Sequence, residues 1–176
     1  MKIALLGAEC TGKTTLAQGL AQQLRQEGKP LTLVPEFLRQ WCDVHGRTPR
    51  AQEQASIAQA QGALIAQASA NAWLVCDTTP LMTAVYSHLY FSDDTLKATA
   101  LRAQGQFDLT LLCAPDLPWQ ADGILRDGPA LQARTDTLLR QLLSQHGLAY
   151  RVVTGQGPQR LANALAAITA SMGGVA

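Results

Sequence analysis

Gly7-Ala8-Glu9-Cys10-Thr11-Gly12-Lys13-Thr14 carries glycine, glycine, lysine and a hydroxyl at the spacing G-x-x-x-x-G-K-[ST]. Each fixed residue has a reason in phosphate chemistry. Gly7 and Gly12 let the backbone curl, so that the amides of Glu9, Cys10, Thr11 and their neighbours converge on phosphate oxygens. The helix that starts here, through Thr14 and Thr15, adds the positive potential of its N-terminus. Lys13 is expected to bridge the terminal phosphates of ATP, and the Thr14 hydroxyl to bind Mg²⁺. A strand-to-helix turn with an incidental lysine is the bland alternative. The apolar run before the loop and the helical pattern after it favour the phosphate loop.

Two carboxylates fall where such a loop would need them. Asp77 ends the run Trp73-Leu74-Val75-Cys76, the place of a Walker-B-like carboxylate serving Mg²⁺ or its water shell; a cap for a helix over Thr78–Leu81 is the lesser alternative. ATP-hydrolysing motors put Glu directly after this Asp to activate water. Here Thr78 and Thr79 follow, which favours transfer to a bound acceptor. Glu36 comes just after an apolar run, at the carboxyl end of the sheet where ligands gather. It can accept the proton of an acceptor hydroxyl, or simply favour the first turn of a helix. Arg39 either binds phosphate or pairs with Glu36 across that helix.

Further along, Leu117-Pro118-Trp119-Gln120-Ala121-Asp122-Gly123-Ile124-Leu125-Arg126 combines an aromatic ring with charge in a polar loop. Trp119 suits stacking on a planar base or cationic ring, or folds inward as a plug. Asp122 can hold ribose hydroxyls. Arg126 and Arg134 lie where small kinases carry a lid, and a cation there neutralises the moving phosphoryl group; for Arg134 a solvated helix position is as good a reading. Tyr86 and Tyr90 share a helix face at i, i+4 and fit either core or ligand. Trp41 and Trp73 read as core, His45 and His146 as surface.

The elements that must position these groups alternate between strand and helix, as in a parallel sheet covered by helices. Strands are expected at 3–6, 31–34, 73–76, 109–113 and 150–153. Helices are expected at 14–26, 37–70 with a break near Gly46–Pro49, 80–91, 93–102, 131–143 and 158–169. The Ala- and Gln-rich piece before residue 70 has a weak apolar face but strong helix formers. From Ala114 to Pro129 the sequence has three prolines, two glycines, three aspartates and a tryptophan. A loop of this length in a compact domain is commonly functional. The expected fold is a three-layer α/β/α P-loop NTPase with a five-stranded parallel sheet. It forms one domain over 1–176, with a lid near 115–130.

Composition narrows the partners. A net charge of +1 on 176 residues, with no cluster of Lys and Arg, gives no reason to expect nucleic acid. No apolar run reaches bilayer length and no signal peptide opens the sequence, so a cytoplasmic protein without a membrane partner is expected. Cys10, Cys42, Cys76 and Cys113 form no C-x-x-C pair and suggest neither a zinc site nor a disulfide framework. Neither Asn71 nor Asn163 lies in an N-K-x-D motif, which argues against a GTPase. The sequence says nothing about oligomeric state. A nucleotide-gated switch, binding ATP or GTP without catalysis, is the reading from a different class.

The sequence resembles the ribosylnicotinamide kinase domain of NadR-type proteins. The likeness runs in order through Gly7–Thr15, Val34-Pro35-Glu36-Phe37-Leu38-Arg39, and Asp77-Thr78 with Thr83. It continues through Phe107-Asp108-Leu109, Pro115-Asp116-Leu117-Pro118-Trp119-x-x-Asp122-Gly123, Arg126, and Gly155 with Arg160. The P-D-x-P-W-x-x-D-G string is far more specific than the phosphate loop. The resemblance implies ATP- and Mg²⁺-dependent phosphorylation of the 5′-hydroxyl of nicotinamide riboside, a step of NAD biosynthesis. It further implies that Trp119 stacks on the nicotinamide ring, that Asp122 helps hold the nucleoside, and that Gly155–Arg160 lies near the adenine of ATP. Three departures stand against it. Thr79 replaces an Asp often present in the family, one additional residue separates Gly123 from Arg126, and adenylyltransferase and helix-turn-helix parts are absent from this chain.

Overall fold

Ile3, Ala4, Leu5 and Leu6 are completely buried, because their strand is central to the sheet and covered on both faces. This strand, β1 (Lys2–Leu6), is followed by α1 (Lys13–Gln26), β2 (Leu31–Val34), α2 (Phe37–His45), a short 3-10 turn (Ala51–Glu53) and α3 (Gln54–Gln67). Then come β3 (Trp73–Asp77), α4 (Pro80–Phe91), α5 (Lys97–Gln104), β4 (Leu109–Cys113), α6 (Pro129–Gln145), β5 (Arg151–Val153) and α7 (Gly157–Gly173). The computed structural model describes residues 1–68, 73–119 and 128–173.

All five strands run parallel in the order β2-β3-β1-β4-β5. The register sets Leu5 opposite Asp77, Val34 opposite Cys76, and Leu6 opposite Leu112. The phosphate loop, Glu36 and Asp77 therefore leave the sheet at one edge, the carboxyl ends of three adjacent strands.

Alternate strand residues face two helical layers. On one side Ile3, Leu5, Val75, Leu109 and Leu111 pack with Leu16, Leu20 and Leu24 of α1 and with Ala164 and Ile168 of α7. On the other, Leu6 and Leu112 meet Leu81 and Val85 of α4, Leu101 of α5 and Leu139 and Leu143 of α6. Val34, Leu74 and Cys76 extend that face toward Leu64 and Ile65 of α3. Each fully buried leucine contributes about 1.5–3 kcal/mol by leaving water, and this is the expected three-layer α/β/α arrangement.

The element bounds depart from expectation where local chemistry intervenes. The break expected near Gly46–Pro49 in the 37–70 stretch is present and longer than expected: α2 ends at Gly46, whose N–H closes on the Cys42 carbonyl at 2.8 Å. Helix resumes only after Arg47 and Glu53 form a two-pronged ion pair at 2.7 and 2.8 Å; residues 69 and 70 lie outside the described ones. The α5 helix starts at Lys97 rather than Asp93, because the Asp93 carboxylate accepts the Thr95 N–H at 2.9 Å and holds a turn. Asp77 belongs to β3 and does not cap α4. Thr79 does so, its hydroxyl accepting from Leu81 N–H at 3.3 Å.

Thr79 also donates to Gln104 at 2.8 Å, and Gln104 donates to Thr110 at 2.9 Å. The residue that breaks the family pattern is thus a buried cap joined to α5 and β4. Trp41 and Trp73, expected in the core, are half-buried: Trp41 stacks on His45 beneath Arg47, and Lys29 lies over Trp73. No described helix is long and apolar enough to cross a membrane.

Candidate functional site

The phosphate loop owes its shape to two glycines, one where a side chain would meet backbone and one where it would strain the chain. Gly7 has φ 147°, and a Cβ there would come within 2.9 Å of the Cys113 carbonyl oxygen. Gly12 is left-handed at φ 72°, with Leu117 directly against it. Inside the turn the Thr11 hydroxyl donates to the Ala8 carbonyl at 2.7 Å, and the Lys13 ammonium donates to the same oxygen at 2.8 Å. The lysine is thereby held over the loop at the start of α1. Thr14 and Thr15 follow in the first turn, and Glu9 and Cys10 complete the rim.

The loop forms one wall of a cleft of about 700 Å³. Glu36 and Arg39 of the β2–α2 corner line it, as do Thr48, Pro49 and Arg50 from the segment before α3 and Tyr86, Tyr90 and Phe91 of α4. Glu36 precedes α2, and burial raises its carboxyl above the ordinary range; Lys13 opposes the rise, Asp77 adds to it, and Arg39 opposes it. The Arg39 guanidinium reaches Glu36 at 3.8 Å. Burial pushes the Tyr86 phenol well up, with the charges of Glu9 and Glu36 adding to it. Tyr86 and Tyr90 stack with ring centroids 6.0 Å apart, so the face they share is the cleft wall.

Asp77 is 3% exposed, and among the described residues one of its carboxylate oxygens has no hydrogen-bond partner, nor has the hydroxyl of the neighbouring Thr78. Thr78 itself is left-handed at φ 78°. Such orphaned buried oxygens are costly unless a ligand uses them, and they suit a hard cation. With the Thr14 hydroxyl they fit Mg²⁺, which binds through one or two protein oxygens plus nucleotide phosphates. Among the described residues no cluster of three His, Cys, Asp or Glu groups forms a protein-only metal cage.

On the other flank, beyond β4, Asp116 accepts the Gly155 N–H at 2.7 Å and pairs with Arg160. Arg160 is 4% exposed and also donates to the Val153 carbonyl at 2.8 Å and the Ala114 carbonyl at 3.1 Å. It is therefore turned into the protein, where it holds the Gly155 loop. Trp119 is half-buried and is not part of the cleft wall. Asp122 and Arg126 lie outside the described residues. Arg134 lies on a shallow groove between α4 and α6 with His88, away from the phosphate loop.

Several residues escape sequence reasoning. Gln132 donates to the Glu9 carbonyl at 2.9 Å and steadies the phosphate loop from α6. Gln61, 2% exposed, accepts the Phe37 N–H at 2.8 Å and donates to the Pro35 carbonyl at 3.3 Å, bracing the peptide on either side of Glu36. Neither carries a motif. Their only signal is a glutamine at a helical position that the period assigns to a buried face.

Residues 2–160 match the AAA domain family. The chain belongs to that family. Solved structures with the same fold as this AAA domain include NadR protein in complex with NAD and AMP-PNP, with a TM-score of 0.75 and 18% identity. A second NadR complex, with NR, gives 0.76 and 19%. These alignments cover 97% of this chain and 49% and 50% of those, so the AAA domain chain spans about half the length of the NadR chains. Thymidylate kinase from Ehrlichia chaffeensis aligns over 97% of both chains at 14% identity, TM-score 0.68. Deoxyadenosine kinase from M. mycoides aligns over 99% of this chain and 100% of its own at 16% identity, TM-score 0.65. No curated protein sequence gives a significant match. The α/β P-loop NTPase fold is common to all of these structures.

Proposed function

We propose that this protein is an ATP- and Mg²⁺-dependent kinase of a small nucleoside, with nicotinamide riboside as its acceptor and nicotinamide mononucleotide as product. The observation that carries the reading is the cleft itself. One wall is a phosphate loop with its lysine, the next the Glu36 carboxylate beside Arg39, and the third an aromatic face, all within one cavity of about 700 Å³. Pockets of about this size take one nucleoside-sized ligand.

In this mechanism Lys13 and the loop amides hold the β- and γ-phosphates of ATP. Thr14 and Asp77 hold Mg²⁺, which neutralises phosphate charge when bound. Glu36 accepts the 5′-hydroxyl proton of the acceptor. Its raised affinity for protons, set by burial beside Asp77, brings it closer to the range useful for a general base. Asp77 as the base is the variant of this mechanism, with Glu36 then orienting the hydroxyl. Tyr86 and Tyr90 flank the ring of the acceptor, Arg39 borders the transferred group, and Arg126 stabilises its charge. Residues 1–176 act as one domain, with 115–130 as the lid that brings Trp119 and Asp122 to the nucleoside. The four free cysteines suit the cytoplasm.

A second reading has its own support. The cleft wall takes its aromatic rings from α4 rather than from Trp119, so another nucleoside is the alternative acceptor. The deciding experiment is ADP release from Mg-ATP with a panel of nucleosides. Turnover stimulated most by nicotinamide riboside supports the first reading. Strongest stimulation by a purine or pyrimidine nucleoside moves the assignment to the second. Tight ATP binding with no acceptor-stimulated turnover overturns both and leaves a nucleotide-gated switch.

A further inference from the structure

The acceptor cleft occupies only one flank of the phosphate loop. Glu36 follows β2, Asp77 ends β3, and the aromatic wall belongs to α4; β2 and β3 both lie on the same side of β1. In-line transfer needs donor and acceptor on opposite sides of the moving phosphoryl group. The nucleoside part of the donor must then extend over the opposite flank, outside the carboxyl ends of β4 and β5.

That flank is organised by one charge pair, between the buried Arg160 and the more exposed Asp116. Arg160 of α7 reaches the ends of both strands, through the Val153 and Ala114 carbonyls, and pairs with Asp116. The second carboxylate oxygen of Asp116 takes the Gly155 N–H at 2.7 Å. Gly155 is left-handed at φ 93°, so its N–H is aimed by a conformation that a side chain would strain. Asn163 adds a bond to the Thr154 carbonyl at 3.0 Å. One residue beyond Asp116, Leu117 packs on Gly12, and the Pro118 carbonyl faces the Cys10 thiol at 3.7 Å. Asp116 thus links the β5–α7 loop to the segment after β4, whose next residues, Leu117 and Pro118, meet the phosphate loop.

We propose that the Asp116–Arg160 pair is the positioning device for the donor base: it presents the backbone of residues 154–157 to the base and fixes that loop relative to the phosphate loop. Both side chains act through the loops they hold and neither touches the nucleotide. The inference rests on the proposed binding of ATP by the phosphate loop but not on the identity of the acceptor.

The test separates base from phosphates by comparing the affinities of ATP and inorganic tripolyphosphate, which can use only the phosphate loop. In Asp116→Asn and Arg160→Lys, the Kd for ATP is expected to rise about tenfold, the scale of one misplaced hydrogen-bonding group. The Kd for tripolyphosphate should change by less than about twofold. A parallel rise for both ligands, with a lower Tm, would mean a merely structural pair, and an unchanged ATP affinity would also overturn the proposal. Should neither variant fold, amide exchange of the wild-type protein decides. ATP should protect residues 154–157 more than tripolyphosphate does, and equal protection by the two contradicts the positioning role. Failure of the wild-type protein to bind either ligand refutes the phosphate-loop reading itself.

Discussion

Individual side chains divide into those with a motif and those without. Lys13 was legible because its chemistry needs fixed neighbours, and replacing it with Met should lower kcat by about 10²–10³, the scale of losing a charge aimed at the transition state. Steady-state kinetics with near-normal thermal stability would check this. Glu36 was legible only as a carboxylate at a strand end; its protonation is set by burial and by Asp77, which no local pattern carries. Because its folded pKa is raised, the group binds its proton more tightly in the folded chain. The ionised form therefore costs stability as pH rises from about the ordinary 4.5 through the raised value. Glu36→Gln should then raise Tm at pH 8, leave it nearly unchanged at pH 4, and abolish most of the turnover. A Tm that falls equally at both pH values would contradict the buried, charge-penalised carboxylate. Gln132 was not legible at all, since its partner is a backbone carbonyl 123 positions away.

Strand and helix order was readable because apolar runs and leucine spacing are local properties. The walls of the cleft were not, because they arise where α2, α3 and α4 meet. The Ala- and Gln-rich α3 illustrates the gap: its composition suggests a featureless helix, yet Gln61 braces the backbone around Glu36. Gln61→Leu leaves the Phe37 N–H and the Pro35 carbonyl without this partner, and should cost about 1–3 kcal/mol in denaturant unfolding. It should also lower kcat more than it changes the KM for ATP. The aromatic face of α4 was read as core or ligand; Tyr86, Tyr90 and Phe91 line the cleft. Tyr86→Leu is expected to raise the acceptor KM about tenfold without changing that for ATP, since an aromatic contact contributes about 0.5–1.5 kcal/mol beyond its area. Trp119→Ala should have the smaller effect; the opposite ranking would return the ring contact to the loop after β4.

At the scale of the molecule, a parallel sheet with β1 at its centre divides the site into two flanks about the phosphate loop. One flank gathers Glu36, Asp77 and the α4 rings, the proposed acceptor side, and the other gathers Asp116, Gly155 and Arg160, the proposed donor side. The five-stranded sheet was legible from the alternation of elements, whereas this division needed the strand order, which links β1 to β3 and β4 rather than to β2. Gly7 joins the flanks, and Gly7→Ala should destabilise the fold by more than about 1 kcal/mol and weaken ATP binding, because its new Cβ would meet the Cys113 carbonyl oxygen. The central claim is that a phosphoryl group crosses from one flank to the other. It is tested most directly by incubating the protein with Mg-ATP labelled at the γ-phosphate and nicotinamide riboside, then identifying the labelled product by mass spectrometry. Label in nicotinamide mononucleotide, lost in Lys13→Met and Glu36→Gln, is the predicted result; label only in inorganic phosphate, at a rate independent of the riboside, would contradict it.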